Sequence, residues 1–284
     1  MPELPEVETI KLVLQRRIIG LTIKKIQILS PKSFIGNPNS AEGQKVLKIE
    51  RFAKLLAVNL GEVNLLFHLK MTGQLILQGE SVKREGERYI GGHPTEDMMG
   101  KMPNSHTRVI FSFSDGSKLY FNDQRRFGWV KIIDNGKLTI DNLGPEPLEK
   151  EFNWQILKKN LLKHKSQPVK VVLMDQSVVS GVGNIYSNEA CFNAKIDPRT
   201  KVSNLSNLQF KRLHLGVLKS LRDGIAHGGS TRAHFRDPEG HKGYFLDYAY
   251  VYGLDKHPCK VCKTIIKKIQ LGGRGTYYCS NCQK

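Results

Sequence analysis

The chain opens Met1-Pro2-Glu3, and removal of Met1 turns the proline nitrogen into a free secondary amine beside a carboxylate. An α-amine titrates near ~7.7–8.0 and a lysine near ~10.4, so at neutral pH the terminus is in its attacking form roughly a few hundred times more often. Condensation of that amine with a sugar aldehyde carbon gives a permanently charged iminium, which draws electrons from neighbouring bonds. Taken alone, a proline at position 2 signals only that the methionine is removed.

A second set of reactive side chains closes the chain: Cys259-x2-Cys262, sixteen residues, then Cys279-x2-Cys282. Each Cys-x-x-Cys turn offers two thiolates, and two turns complete a tetrahedral zinc-ribbon site. Disulfides are the competing arrangement, and a reducing cytosol disfavours them. Four protein ligands leave no open coordination position, so the expectation is one structural Zn2+ per chain, bracing a segment too short to bury a core. Chemistry must then come from elsewhere. Cys191 is left over and reads as a buried thiol in a helix.

Of 284 residues, 44 are Lys or Arg and 26 Asp or Glu, a net charge of +18. Such an excess calls for a polyanionic partner, and nucleic acid is the first candidate, because phosphate neutralisation supplies most non-specific affinity. A membrane surface is the weaker reading: there is no lipidation motif, no long basic amphipathic segment and no apolar run near the ~18 residues of a span. Glu3, Glu6 and Glu8 interrupt any signal-peptide core, so the protein is expected in the cytoplasm.

Within this basic background, Asp123-Gln124-Arg125-Arg126-Phe127-Gly128 sets paired arginines beside an aromatic ring just after a strand. On a loop tip, an arginine and an apolar wedge can enter a duplex and occupy the space of an extruded base. In a core, the same Phe127 would be structural. Lys54 stands at a turn between two strand-like runs, where it is solvated or, if the fold brings it to Pro2, can relay protons or hold a phosphate. Arg274, in Gly272-Gly273-Arg274-Gly275, falls between the cysteine pairs, at the tip a ribbon hairpin would present. Gly181-Val182-Gly183-Asn184 precedes a helix, either as a tight corner or as a backbone cradle for an anion.

The elements that position these groups follow from periodicity. Glu6 to Ile19 sets Val7, Ile10, Leu14 and Ile18 on one helical stripe. From Thr22 to Ile133 the pattern changes to short strand-like runs: 22–28, 45–51, 55–60, 64–69, 74–77, 108–113, 118–121 and 129–133. Turn signals at 59–62 and 114–117 imply antiparallel hairpins stacked as a sandwich. Residues 79–105 are polar and aperiodic and predict a surface loop. After the proline- and glycine-rich break at 144–147, helices are predicted over 152–164, 169–175, 185–192 and 208–226. The last should turn Leu208, Leu215, Leu218, Leu221 and Ile225 toward a core. A glycine-rich charged loop spans 230–243.

Together these segments resemble the formamidopyrimidine-DNA glycosylase family of bacterial repair enzymes. The likeness is carried in order by Pro2-Glu3-Leu4-Pro5-Glu6-Val7-Glu8-Thr9, Ala53-Lys54, His68-Leu69-Lys70-Met71-Thr72-Gly73, Arg125-Arg126-Phe127-Gly128, Leu143-Gly144-Pro145-Glu146-Pro147-Leu148, Gly181-Val182-Gly183-Asn184-Ile185-Tyr186 and the cysteine tail. It implies an α+β fold: an N-terminal β-sandwich with flanking helices (1–135), a linker (136–150), a helical domain with a helix-two-turn-helix motif (151–255) and a four-cysteine zinc finger (256–284).

The resemblance also implies roles. Pro2 attacks the sugar C1′, Glu3 donates a proton in base release and ring opening, Lys54 in β-elimination and Arg274 in δ-elimination. Met71, Arg125 and Phe127 fill the gap left by the flipped nucleotide. His106, Arg125 and Lys165 match DNA-contact positions, Lys170 and Asn184 phosphate-binding ones. Residues 230–243 correspond to a loop that covers the flipped base in some relatives. The implied partner is damaged double-stranded DNA, the implied state a monomer associated with the bacterial nucleoid. Two other readings remain: an endonuclease VIII-type glycosylase for oxidised pyrimidines, disfavoured by Leu4 where that branch has glycine, and a noncatalytic zinc-ribbon DNA-binding protein.

Overall fold

The computed structural model describes residues 1–79, 88–92, 100–135, 143–230 and 245–284. It divides into two compact units, Met1–Ile140 with Gly228–Tyr244, and Asp141–His227 with Phe245–Lys284.

The first unit begins with helix α1 (Leu4–Ile18), followed by strands β1 (Ile23–Ile28), β2 (Phe34–Ile35), β3 (Lys48–Phe52), β4 (Leu55–Asn59), β5 (Val63–His68), β6 (Gly73–Gln78), β7 (Arg88–Gly92), β8 (Thr107–Phe113), β9 (Lys118–Asp123) and β10 (Trp129–Asp134). They form two five-stranded sheets, ordered β1-β8-β9-β6-β7 and β2-β10-β5-β4-β3. Pairing is antiparallel throughout except between β10 and β2. The sandwich core draws one face from each sheet: Phe67, Val58 and Val130 meet Phe111, Phe121 and Leu75. Helix α1 packs against β3, β4 and β7, and its predicted stripe of Val7, Ile10, Leu14 and Ile18 is buried.

Two strands depart from the sequence expectation. One is the two-residue β2, which no predicted run covers. The other is β7, which lies inside the predicted loop 79–105 and pairs with β6 from Gln74↔Gly92 to Gln78↔Arg88; Gly91 and Gly92 in its second half break the apolar alternation that would have signalled a strand. The rest of that loop at 80–87 and 93–99, residues 136–142 of the expected linker and residues 231–243 of the predicted charged loop lie outside the described residues.

The second unit holds α2 (Trp154–Leu161), α3 (Val169–Leu173), α4 (Asn184–Asn193), α5 (Asn207–Ala226), the short α6 (Phe245–Tyr248) and the hairpin β11 (Lys267–Leu271) and β12 (Arg274–Tyr278). On α5 the expected core face is corrected. Leu221 is buried as expected, but Leu208 and Leu215 are 57% and 62% exposed, and Phe210, Leu213 and Val217 are buried instead. The phase is set by small residues: a Cβ on Gly216 would lie 2.5 Å from the Ala190 carbonyl oxygen, so α4 crosses closest where α5 carries no side chain. Among the described residues, no helix is long and apolar enough to cross a membrane.

Candidate active site and nucleic-acid interface

Strand register gathers three turns at one end of the first unit. Leu55 pairs with His68, and His68 with Trp129. The Ala53-Lys54 turn entering β4, the 69–72 turn leaving β5 and the 124–128 loop entering β10 therefore lie side by side.

Pro2 is buried, as are Glu3 and Glu6. The Glu3 backbone N–H donates to the Glu6 Oε2 at 2.7 Å, one arm of a capping box at the start of α1. Glu6 also accepts from the Ser230 backbone N–H at 2.7 Å through Oε1, so one carboxylate ties the first helical turn to Ser230. Lys54 is 6% exposed. Burial holds its ammonium below the ordinary lysine value, opposed by the nearby Glu3 and Glu6 carboxylates. Its turn is fixed from α1: Arg51 Nε contacts Glu8 at 2.8 Å, and Arg51 Nη1 donates at 3.0 Å to the carbonyl of Ala53, which sits at φ 53°. Next to it, His68 is pushed down to about 3 by burial and then by the Lys70 and Lys54 charges, so its imidazole is neutral and accepts the Lys70 N–H at Nδ1.

The adjoining loops carry the residues expected to form the wedge. Phe127 is 56% exposed, not a core residue, and the Arg125 guanidinium lies 5.1 Å from its ring centroid. Met71 is half-buried at the tip of its turn. His106 sits just before β8, its carbonyl accepting the Asp123 N–H at 2.9 Å. Arg108 is 6% exposed and donates to the Asp123 and Ser105 carbonyls at 2.9 and 3.0 Å. Thus Pro2, Glu3, Lys54, Met71, His106, Arg125 and Phe127 belong to one unit, most of them clustered about one end of its strands.

Lys165, Lys170, Asn184 and Arg274 belong to the second unit. Lys165 is exposed. Lys170 is fully buried, its Nζ donating to the Asn184 Oδ1 at 2.5 Å, while Asn184 keeps some surface and donates from Nδ2 to the Gly275 carbonyl at 3.2 Å. Helix α4 grips the hairpin again where the buried Asn188 Oδ1 accepts the Tyr277 N–H at 2.7 Å. At the next position, Glu189 accepts the N–H groups of Tyr250, Val251 and Tyr252 at 2.8–2.9 Å; burial raises its carboxyl against those bonds. Arg274 is exposed beside the Gly272-Gly273 tip, whose φ values of 57° and 70° suit a two-residue hairpin turn.

The four cysteine sulfurs lie within 4.8 Å of one another, with Cys259 to Cys282 at 3.9 Å and Cys262 to Cys279 at 3.3 Å. Four sulfurs at ~2.3 Å from one zinc ion stand about 3.8 Å apart, so the cluster fits that metal. Cys191 is fully buried and its thiol is pushed up to about 12 by burial, which keeps it inert.

Sequence reasoning gave no role to Thr72, Asp123, Arg108, Asn188 or Glu189, whose partners are mostly remote in sequence. Glu6 had a local signal in its three-residue spacing from Glu3.

A sandwich bearing an amino-terminal proline site, a helical unit and a four-thiolate hairpin define a DNA-repair glycosylase architecture. Comparison with known proteins specifies it. Residues 1–130 match the formamidopyrimidine-DNA glycosylase N-terminal domain, 143–236 the H2TH domain of the same enzymes, and 256–284 the zinc finger found in FPG and IleRS. The formamidopyrimidine-DNA glycosylases of Bacillus subtilis and Pelotomaculum thermopropionicum are 37% and 36% identical over the whole chain and 99% of their own length. Among solved structures, MutM (Fpg) of Thermus thermophilus superposes with a TM-score of 0.82 at 33% identity, covering 99% of this chain and 98% of that one. The Lactococcus lactis Fpg in complex with abasic-site DNA reaches 0.85 at 27% identity, with 99% of each chain covered. The chain belongs to the formamidopyrimidine-DNA glycosylase family, and its cysteine cluster is that family's zinc finger.

Proposed function

We propose that the protein is a bifunctional DNA glycosylase and abasic-site lyase of base excision repair, removing oxidised purines such as 8-oxoguanine and formamidopyrimidines from duplex DNA. The observation that carries the reading is the convergence at one end of the first unit: a buried Pro2 and Glu3, a lysine held below its ordinary pKa, and an exposed Arg125–Phe127 pair.

Met71, Arg125 and Phe127 enter the duplex and replace the extruded nucleotide, offsetting part of the few kcal/mol that flipping costs. The Pro2 nitrogen bonds to C1′ as the glycosidic bond breaks, and the base leaves with a proton from Glu3. Ring opening gives the iminium, which acidifies the 2′ hydrogen. Loss of that proton expels the 3′ phosphate, and a second elimination expels the 5′ phosphate. Lys54 serves the first elimination: burial favours its neutral state, so it exchanges a proton nearer neutrality than a solvated lysine does. Arg274 serves the second.

His106, Lys165 and Asn184 contact the DNA backbone. Lys170, with no surface of its own, supplies charge to the phosphate through Asn184. One zinc ion on Cys259, Cys262, Cys279 and Cys282 is structural and holds the hairpin that carries Arg274. The protein acts as a cytoplasmic monomer. Excision of 8-oxoguanine opposite cytosine, compared with excision of thymine glycol, tests the substrate class: preference for the first is expected, and preference for the second would assign the chain to the pyrimidine-directed branch.

A further inference from the structure

The 69–72 turn and the 124–128 loop both cross from one sheet of the sandwich to the other. Gly73 pairs with Asp123 where they meet the first sheet, and His68 pairs with Trp129 where they meet the second. The two crossovers therefore run alongside each other, and a buried clasp joins them. The Thr72 hydroxyl, 7% exposed, donates to the Asp123 Oδ1 and accepts the Arg125 N–H at 3.0 Å. The Asp123 carboxylate, fully buried, also accepts the Arg125 N–H at 3.2 Å and the Gly128 N–H at 2.6 Å. A Cβ on Gly128 would lie 2.8 Å from the Phe121 ring and 3.1 Å from the Asp123 Oδ2, so the loop can seat on the carboxylate only with glycine there. Between its two anchored amides the loop bulges outward through Arg126 at φ 58°, and Arg125 and Phe127 stand exposed.

We propose that Thr72 is a positioning residue that, through Asp123, locks the Met71 turn to the Arg125–Phe127 loop so that the two enter DNA as one rigid wedge. The inference rests on the proposed role of those three side chains. Without the hydroxyl, the strand pairings at both ends and the Gly128 and Arg125 bonds to the carboxylate remain, so each loop keeps its own path, but the Met71 turn is no longer tied to the loop between those ends. Base extrusion then weakens, while the groups around Pro2 stay in place.

The test uses the full-length zinc-loaded protein with Met1 removed, as wild type, Thr72→Val, Thr72→Ser and Phe127→Ala. Each is assayed on a duplex with 8-oxoguanine opposite cytosine and on the same duplex with an abasic site, whose extrusion costs less. Thr72→Val is expected to lower the lesion-to-abasic ratio of kcat/KM about tenfold, the scale of one hydrogen bond to a charged group. The loss should appear equally in the fluorescence change of a 2-aminopurine beside the lesion, and Thr72→Ser should restore both. Amide exchange at Arg125, whose N–H loses the Thr72 hydroxyl as an acceptor, should quicken in Thr72→Val and not in Thr72→Ser; if the valine variant does not fold, Thr72→Ala replaces it in every measurement. A hydroxyl-less variant with a wild-type ratio and unchanged exchange, beside an impaired Phe127→Ala, overturns the clasp and leaves the wedge standing. An unimpaired Phe127→Ala overturns the wedge itself.

Discussion

Replacing Phe127 with alanine separates what the ring does for the fold from what it does for DNA. In the folded chain the ring is 56% exposed and its one described ring contact is with the Arg125 guanidinium. The loop itself hangs on the Asp123 carboxylate through backbone amides, none of which involves the ring. Loss of a half-exposed ring and an exposed cation–π contact therefore costs about 1 kcal/mol of stability, or about 2–4 °C in Tm for a unit of this size. In the complex, a ring stacked on a base contributes about 1–3 kcal/mol, so excision should fall about 5- to 150-fold. Single-turnover excision of 8-oxoguanine, read beside a thermal unfolding curve, measures both quantities on one sample. Wild-type excision by a folded Phe127→Ala protein would exclude a role of the ring in DNA, as would a loss of activity explained wholly by unfolding.

Three further outcomes follow from other parts of the molecule. Lys54→Met should retain base release but lose strand cleavage, which denaturing gels resolve. Because burial lowers the Lys54 pKa below 10.5, the unfolded chain binds more protons between the lowered value and 10.5; the Lys54 contribution to stability therefore rises with pH across that window in wild type and is absent in Lys54→Met. Stripping zinc with a strong chelator, or Cys279→Ser, should undo the hairpin β11–β12, since structural zinc contributes about 10–16 kcal/mol to such modules; elemental analysis should give one ion per chain, and DNA binding should fall with it. Gly224→Ala places a methyl 2.5 Å from the buried Tyr186 ring, an overpacking that should cost about 1–3 kcal/mol in chemical denaturation.

What was legible in the sequence tracks how local its cause is. Helix α1 was readable because Val7, Ile10, Leu14 and Ile18 repeat at the helical period, and the turns at 59–62 and 114–117 because Gly61 and Gly116 take φ of 97° and 82°. The cysteine cluster was readable because its spacing encodes two turns. Helix α5 and the burial of Leu221 were legible, but Leu208 and Leu215 suggested a face that is exposed, whereas Gly216, Ser220 and Gly224 mark where α4 and Tyr186 approach. Strand β2 has two residues and a parallel partner, too little for any pattern. The clasp was invisible because Thr72 and Asp123 are 51 positions apart and only strand register brings them together. Likewise, nothing around Lys170 announces that it is buried behind Asn184 rather than facing solvent.

Whether the Pro2 nitrogen is the nucleophile is decided by borohydride reduction during reaction with 8-oxoguanine DNA. A chain with Met1 removed should give a covalent protein–DNA adduct that peptide mass spectrometry assigns to Pro2, and a chain with Met1 verified in place should give none, because an amide nitrogen has no available lone pair. An adduct on a lysine, or equal trapping by the blocked chain, would rule out Pro2 as the nucleophile.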